Sequence, residues 1–128
     1  MGGYCIAIEM KLLLENIPAS LQEKKDVLAE CLRAFGSVKP IERILLFGSY
    51  ARDDEKDHSD VDLCIVAEGA ERQLQTARDF RRAIRDIRPK PAFTLIPITP
   101  ERLAEKEACG DHFFSTILSE GIRIAEKD

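Results

Sequence analysis

Two short blocks of this chain carry residue types suited to phosphate and metal chemistry: Gly48-Ser49 and, after ten intervening residues, Asp60-Val61-Asp62. Glycine has no Cβ, so a ligand can approach the backbone closely at Gly48. A helix opening there would leave free N–H groups facing an anion, and the Ser49 hydroxyl can donate to a phosphate oxygen. Asp60 and Asp62 are two apart, so on a strand both carboxylates face the same side. Neighbouring carboxylates repel unless something neutralises them. A hard divalent cation does so, and Mg²⁺ is commonly held by one or two carboxylates plus substrate phosphates. A phosphate cradle beside a metal-binding acid pair implies transfer chemistry on a nucleoside triphosphate, with the metal neutralising charge, orienting the phosphate and activating an incoming hydroxyl. Taken singly, each block reads as a solvated turn or an acidic strand edge; their pairing at this spacing, between two apolar runs, points to a site.

Other residues in the segment are weighed against this centre. Arg52 can neutralise a triphosphate oxygen or pair with a loop acid, and the sequence leaves both open. His58 reads as a solvated loop histidine. Arg78, Arg81, Arg82, Arg85, Arg88 and Lys90 concentrate positive charge; the plain reading is a solvated helix face, the alternative a dock for an acidic partner or an RNA backbone. No aromatic residues interleave with these cations, which argues against sequence-specific nucleic-acid recognition.

The fuller pattern, Gly48-Ser49-Tyr50-Ala51-Arg52 followed by Ser59-Asp60-Val61-Asp62-Leu63, resembles the signature of the polymerase-beta-type nucleotidyltransferase superfamily. It is most similar to the smallest bacterial and archaeal members, the minimal nucleotidyltransferases often encoded beside a HEPN-domain protein. The resemblance extends more weakly over residues 20–125 through the order of strands and helices. It implies nucleotide contacts at Gly48, Ser49 and Arg52, with Asp60 and Asp62 as catalytic metal ligands. It further implies Mg²⁺ as cofactor, a nucleoside triphosphate (ATP by expectation) as substrate, and a HEPN-domain protein as candidate partner. The implied function is Mg²⁺-dependent transfer of a nucleoside monophosphate to a hydroxyl acceptor. The alternative is an antitoxin module that binds nucleotide and neutralises a HEPN-type ribonuclease by binding.

One expected element is absent. Such transferases usually carry a third carboxylate, ligand and base, on the strand after the long helix; here that position falls at Thr94. Threonine is neutral and cannot replace a carboxylate base at neutral pH, which weakens the case for two metals and for turnover. Three readings follow: a base supplied by Asp53, Asp54 or Glu42; binding without efficient transfer; or a Thr94 that faces the core, out of step with the family pattern. Asp53 is a second departure, since glycine commonly follows the Ala-Arg pair.

The elements that must position these residues follow from periodicity and breakers. A helix is expected over 5–15, ending near Pro18, and residues 1–19 are set apart as an extension or short helix, with Met10 an alternative start. Residues 20–128 then form the nucleotidyltransferase domain. Ser20 is the expected cap of a helix running to Phe35 and stopped by Gly36. Ile41–Phe47 and Val61–Val66 read as strands, with a helical turn after Gly48. Ala70 to Ile87 reads as the longest helix, with Leu74, Ala77, Phe80, Ile84 and Ile87 on its apolar side and Pro89 and Pro91 as terminators. Ala92–Ile98 is a third strand. Thr99 caps a helix with Pro100 in its first turn, a last helix spans Asp111–Glu120, and Ile122–Ala125 is a short fourth strand. Of the adjacent Phe113 and Phe114, only one can face inward. The expected fold is α/β (α+β): a small mixed sheet flanked by helices.

Bulk properties agree. The 128 residues are 45% apolar with a net charge of −4, enough for one compact domain and without a global basic field for nucleic acid. No apolar run is long enough for a membrane span, and the N-terminus lacks a secretory pattern. Cys5, Cys31, Cys64 and Cys109 are widely spaced, which suggests buried thiols in a reducing cytoplasm. Self-association is left open.

Overall fold

The structure, a computed structural model, describes residues 10–128. Five strands form one mixed sheet: β1 (Met10–Leu12), β2 (Ile41–Phe47), β3 (Val61–Ala67), β4 (Phe93–Ile98) and β5 (Ile122–Lys127). Their order across the sheet is β1-β5-β2-β3-β4. Only β3 and β4 run parallel; the other neighbours are antiparallel. The helices are α1 (Lys25–Gly36), the single turn α2 (Ser49–Arg52), α3 (Gln73–Ala83), α4 (Pro100–Ala108) and α5 (His112–Glu120). The expected mixed sheet with flanking helices is therefore present.

Strand alternation divides the core into two layers. Ile44 and Leu46, Leu63 and Ile65, and Phe93 and Leu95 face α1 and α3, where they meet Leu28, Leu32, Phe35, Phe80 and Ile84. The aromatic centre of this layer is Phe35, edge-on to Phe80 at 5.3 Å and to Phe93 at 6.2 Å. Leu45, Phe47, Cys64, Val66 and Ile98 face the opposite way, against Leu103 of α4 and Phe114 and Ile117 of α5. By the same alternation, Asp62 and Thr94 belong to this second face. Pro97 is tolerated because β4 is an edge strand.

Several boundaries differ from expectation. Residues 5–9 of the expected N-terminal helix lie outside the described residues, and Met10–Leu12 is a strand paired with Leu12↔Ala125 in register. Ser20 caps no α-helix: it lies in a 3₁₀ stretch, Ala19–Lys24, and α1 begins at Lys25 without a side-chain cap. The long helix is shorter at both ends, and α3 stops at Ala83, well before Pro89. Its buried side is Thr76, Phe80 and Ile84, whereas Leu74 is 78% exposed. At about 100° per residue, Leu74 lies about 120° around the helix from Phe80, so it cannot share that face. The closing strand runs to Lys127 and is the fifth strand among the described residues, not the fourth. Cys31 and Cys64 are buried but Cys109 is exposed; Cys5 lies outside the described residues. Thr99 does cap α4, its Oγ1 accepting from Arg102 N at 3.0 Å with Pro100 in the first turn. Asp111 caps α5 by accepting from Phe114 N at 3.0 Å. No helix among the described residues is long and apolar enough to cross a membrane.

Candidate active site

The site begins where β2 ends. Gly48 adopts φ 77° and ψ −153°, a region essentially closed to residues with a Cβ. Its carbonyl then accepts from Ala51 N and Arg52 N, both at 3.1 Å, which winds the single turn α2. Asp53 closes that turn in the left-handed region at φ 61°, taking on the backbone conformation that a glycine would hold more cheaply. A Cβ at Gly48 would collide with the Asp62 carboxylate and stand 2.9 Å from its Cγ. Glycine is required here because Asp62 fills the space, a tighter constraint than room for a ligand.

Asp62 is half-buried in β3, and Asp60 is exposed immediately before that strand. Phe47 pairs with Asp62 across the antiparallel ladder, and Asp62 pairs with Thr94 across the parallel one. Three neighbouring strands thus bring Gly48, the two acids and Thr94 to one end of the sheet. Thr94 does not face the core. Its Oγ1 donates to Asp60 Oδ2 at 3.0 Å, so the hydroxyl sits on the carboxylate side, at the register position level with Asp62. Burial pushes the Asp62 pKa up; the Thr94 hydroxyl lowers it, the Asp60 charge raises it and Arg52 lowers it, in that order of weight. The hydrogen-bond geometry assigns the Thr94 proton to Asp60, while its dipole also steadies Asp62. A neutral hydroxyl held in this way does not serve as a general base at neutral pH.

Arg52 pairs with a loop acid and with the end of α5. Its Nε donates to Asp54 Oδ2 and its Nη1 to Glu120 Oε1, each at 3.2 Å. Glu120 Oε1 also accepts from Gly48 N at 3.2 Å. Glu120, the last residue of α5, is thus a part of the site that sequence reasoning missed. It is 68 residues from Arg52, and no local pattern marks it beyond its place before the helix-stopping Gly121.

The candidate bases separate by position. Glu42 lies near the far end of β2, beside Arg43, Arg123, Glu126 and Lys127. Five residues of extended chain, about 17 Å, separate it from Phe47, so it cannot serve this site. Asp54 is tied to Arg52. Asp53 and His58 are exposed in the connection between α2 and β3. The cations Arg78, Arg81, Arg82, Arg85 and Lys90 line a shallow concavity of about 440 Å³, and Arg81 Nη2 donates to Phe93 O at 3.1 Å.

Asp60 and Asp62 are the donors available for a hard cation. Among the described residues, no cluster of three or more His, Cys, Asp or Glu side chains is arranged to hold a metal. Two adjacent carboxylates, one of them under burial and like-charge stress, fit the donor set by which Mg²⁺ is shared between protein and phosphate oxygens.

The family model described as "Polymerase beta, Nucleotidyltransferase" matches residues 29–128. Among solved structures, the chain is similar to one described as a "putative nucleotidyltransferase" from Sulfolobus solfataricus, at 22% identity and a TM-score of 0.45, covering 62% of this chain and 70% of that one. No curated protein matches the chain.

Proposed function

The chain belongs to the polymerase beta nucleotidyltransferase family, and from that premise we propose that it moves a nucleoside monophosphate from a triphosphate, ATP by expectation, to a hydroxyl acceptor with the help of Mg²⁺. The observation that carries this reading is the convergence of the Gly48 turn with Asp60 and Asp62 at one end of the sheet, so close that Gly48 admits no Cβ beside the Asp62 carboxylate.

In this reading Ser49 Oγ and Arg52 bind the triphosphate, and Asp60 and Asp62 hold the cation. Mg²⁺, when bound, supplies charge neutralisation at the phosphate and at the attacking oxygen. The protein's own contribution is positioning. Parallel pairing of β3 with β4 fixes the height of Asp62 against Thr94, and the Thr94 hydrogen bond orients the exposed Asp60 carboxylate. Asp54 and Glu120 flank Arg52, with Asp60 and Asp62 alongside. This excess of negative charge disfavours a naked triphosphate and favours one that arrives with its cation.

The test is transfer of labelled nucleotide to a protein or small hydroxyl acceptor. Transfer should require Mg²⁺ and disappear in the Asp60→Ala/Asp62→Ala double variant. Robust transfer persisting in that variant would sink the proposal.

A second reading is favoured by Thr94, which donates to Asp60 at the position where a third acid is expected. In it the chain binds nucleotide but acts chiefly as the cytoplasmic antitoxin partner of a HEPN-type ribonuclease, neutralising it by contact. Inhibition of that ribonuclease should then proceed without triphosphate. Inhibition that appears only with triphosphate and Mg²⁺ favours modification instead.

A further inference from the structure

We propose that Glu120 is a positioning residue of the nucleotide site, holding the Gly48 turn and the Arg52 guanidinium in the arrangement that receives a triphosphate. The inference rests on the reading of Gly48, Ser49 and Arg52 as nucleotide contacts. It starts from one oxygen with two donors: Glu120 Oε1 accepts from Gly48 N and from Arg52 Nη1, each at 3.2 Å.

Both donors need a partner for physical reasons. The Gly48 N–H is part-buried, at the point where the chain leaves the ladder between β2 and β3 for the strained turn. An unpaired backbone donor there would destabilise that turn. Arg52 is a half-exposed side chain on a single-turn helix; without lateral contacts it would sample many rotamers, and ordering it on binding would cost affinity. Guanidinium has five donors in a planar fork. Asp54 engages Nε and Glu120 engages Nη1, which leaves the Nη2 corner of the fork for an anion.

Glu120 is held in place from its own side. It is the final residue of α5, and Gly121 N donates to Ile117 O at 2.8 Å. A Cβ at Gly121 would collide with that same carbonyl and lie 3.3 Å from Leu45 Cβ. The end of α5 is thereby pressed onto β2, and the Glu120 side chain is only 21% exposed. A carboxylate anchored in this way is suited to a fixed strut. A carboxylate that competes with phosphate for the same donors would need freedom to withdraw. The α5 C-terminus and the Gly48 turn therefore act as one unit, and the strut joins the second core layer to the site.

The experiment is a double-variant cycle on the full chain, titrated with Mg-ATP and with Mg-tripolyphosphate, a probe without base or sugar. Glu120→Ala should weaken both ligands about tenfold, the scale of one charge-assisted hydrogen bond. Arg52→Ala should do likewise, and the double variant should be no more than about threefold weaker than Arg52→Ala alone, because the two residues act as one unit. Glu120→Gln keeps an oxygen acceptor and should lose less than Glu120→Ala; it also serves if Glu120→Ala folds poorly. Three results overturn the proposal: tighter binding in Glu120→Ala or Glu120→Gln, which would make the carboxylate a competitor of phosphate; independent losses that multiply in the double variant; or unchanged binding in Glu120→Ala. A wild-type chain that binds neither probe would instead defeat the underlying nucleotide reading, and this proposal with it.

Discussion

Gly48→Ala tests the link between backbone conformation and the acid pair. Alanine at φ 77° and ψ −153° would sit in a region that costs about 1–3 kcal/mol to hold. Its methyl would also overlap the Asp62 carboxylate; relieving that overlap means shifting Asp62 or the turn, at a cost of about 1–3 kcal/mol more. The sum, roughly 2–6 kcal/mol, is a large part of the stability of an ordinary domain, about 5–15 kcal/mol. Urea unfolding measures it directly. The two contributions separate in a cycle: in an Asp62→Ala background the overlap with the carboxylate is gone, while the backbone strain and the 3.2 Å approach to the residue-62 Cβ remain. Gly48→Ala should then cost less by at least about 1 kcal/mol, a coupling typical of contacting residues. Where Gly48→Ala still folds, Mg-ATP binding should fall sharply, because relief of the overlap moves a carboxylate of the proposed cation site. A Gly48→Ala protein as stable as wild type, or a cycle with no coupling, would refute the reasoning that this glycine exists to accommodate Asp62.

Three other outcomes follow from the same geometry. The Asp62 carboxyl is held above its ordinary pKa, first by burial, so its charged form costs stability in full above the raised folded value, and that cost is lost as pH falls from there to the unfolded-state value. Asp62→Asn should therefore stabilise the fold at pH 7, by less than about 1 kcal/mol given solvent screening, and its unfolding curve should converge with wild type in acid; equal stability at neutral pH would count against this. Thr94→Asp places a carboxylate in register with Asp62 and should tighten Mg²⁺-linked triphosphate binding by about tenfold, the equivalent of one good charged contact; calorimetry with and without Mg²⁺ decides, and unchanged binding would mean that the position is not that of a third ligand. With Cys31 and Cys64 buried and their thiols pushed up to about 11 and about 12 by burial, a thiol reagent at pH 8 should modify Cys109 while sparing those two until the protein unfolds, as peptide mapping would show.

Much of the candidate site could be read in the chain because its parts are local. Gly48-Ser49 and Asp60-Val61-Asp62 each follow from rules that act over a few residues: the absence of a Cβ, the alternation of a strand, the mutual repulsion of acids. The strands β2, β3 and β4 were legible for the same reason, being apolar runs closed by breakers. Helix ends were less so. Ser20 has the chemistry of a cap, yet the chain first winds a 3₁₀ stretch that buries Leu21, and Leu74 fits an apolar spacing while pointing to solvent. Local pattern proposes a face, and packing chooses it.

What remained belongs to contacts between residues far apart in the chain. Thr94 could be aligned with a missing acid, but only the parallel pairing of β3 with β4 turns its hydroxyl onto Asp60. Met10–Leu12 is a strand because the edge of β5 offers it a partner, a preference that no three-residue segment carries by itself. Glu120 reaches Gly48 and Arg52 because α5 packs its end on β2. Residue type and short spacing state which chemistry a segment can perform. Which side chains share one site depends on how the sheet is ordered and how the helices are laid across it, and those are set by burial summed over the whole core.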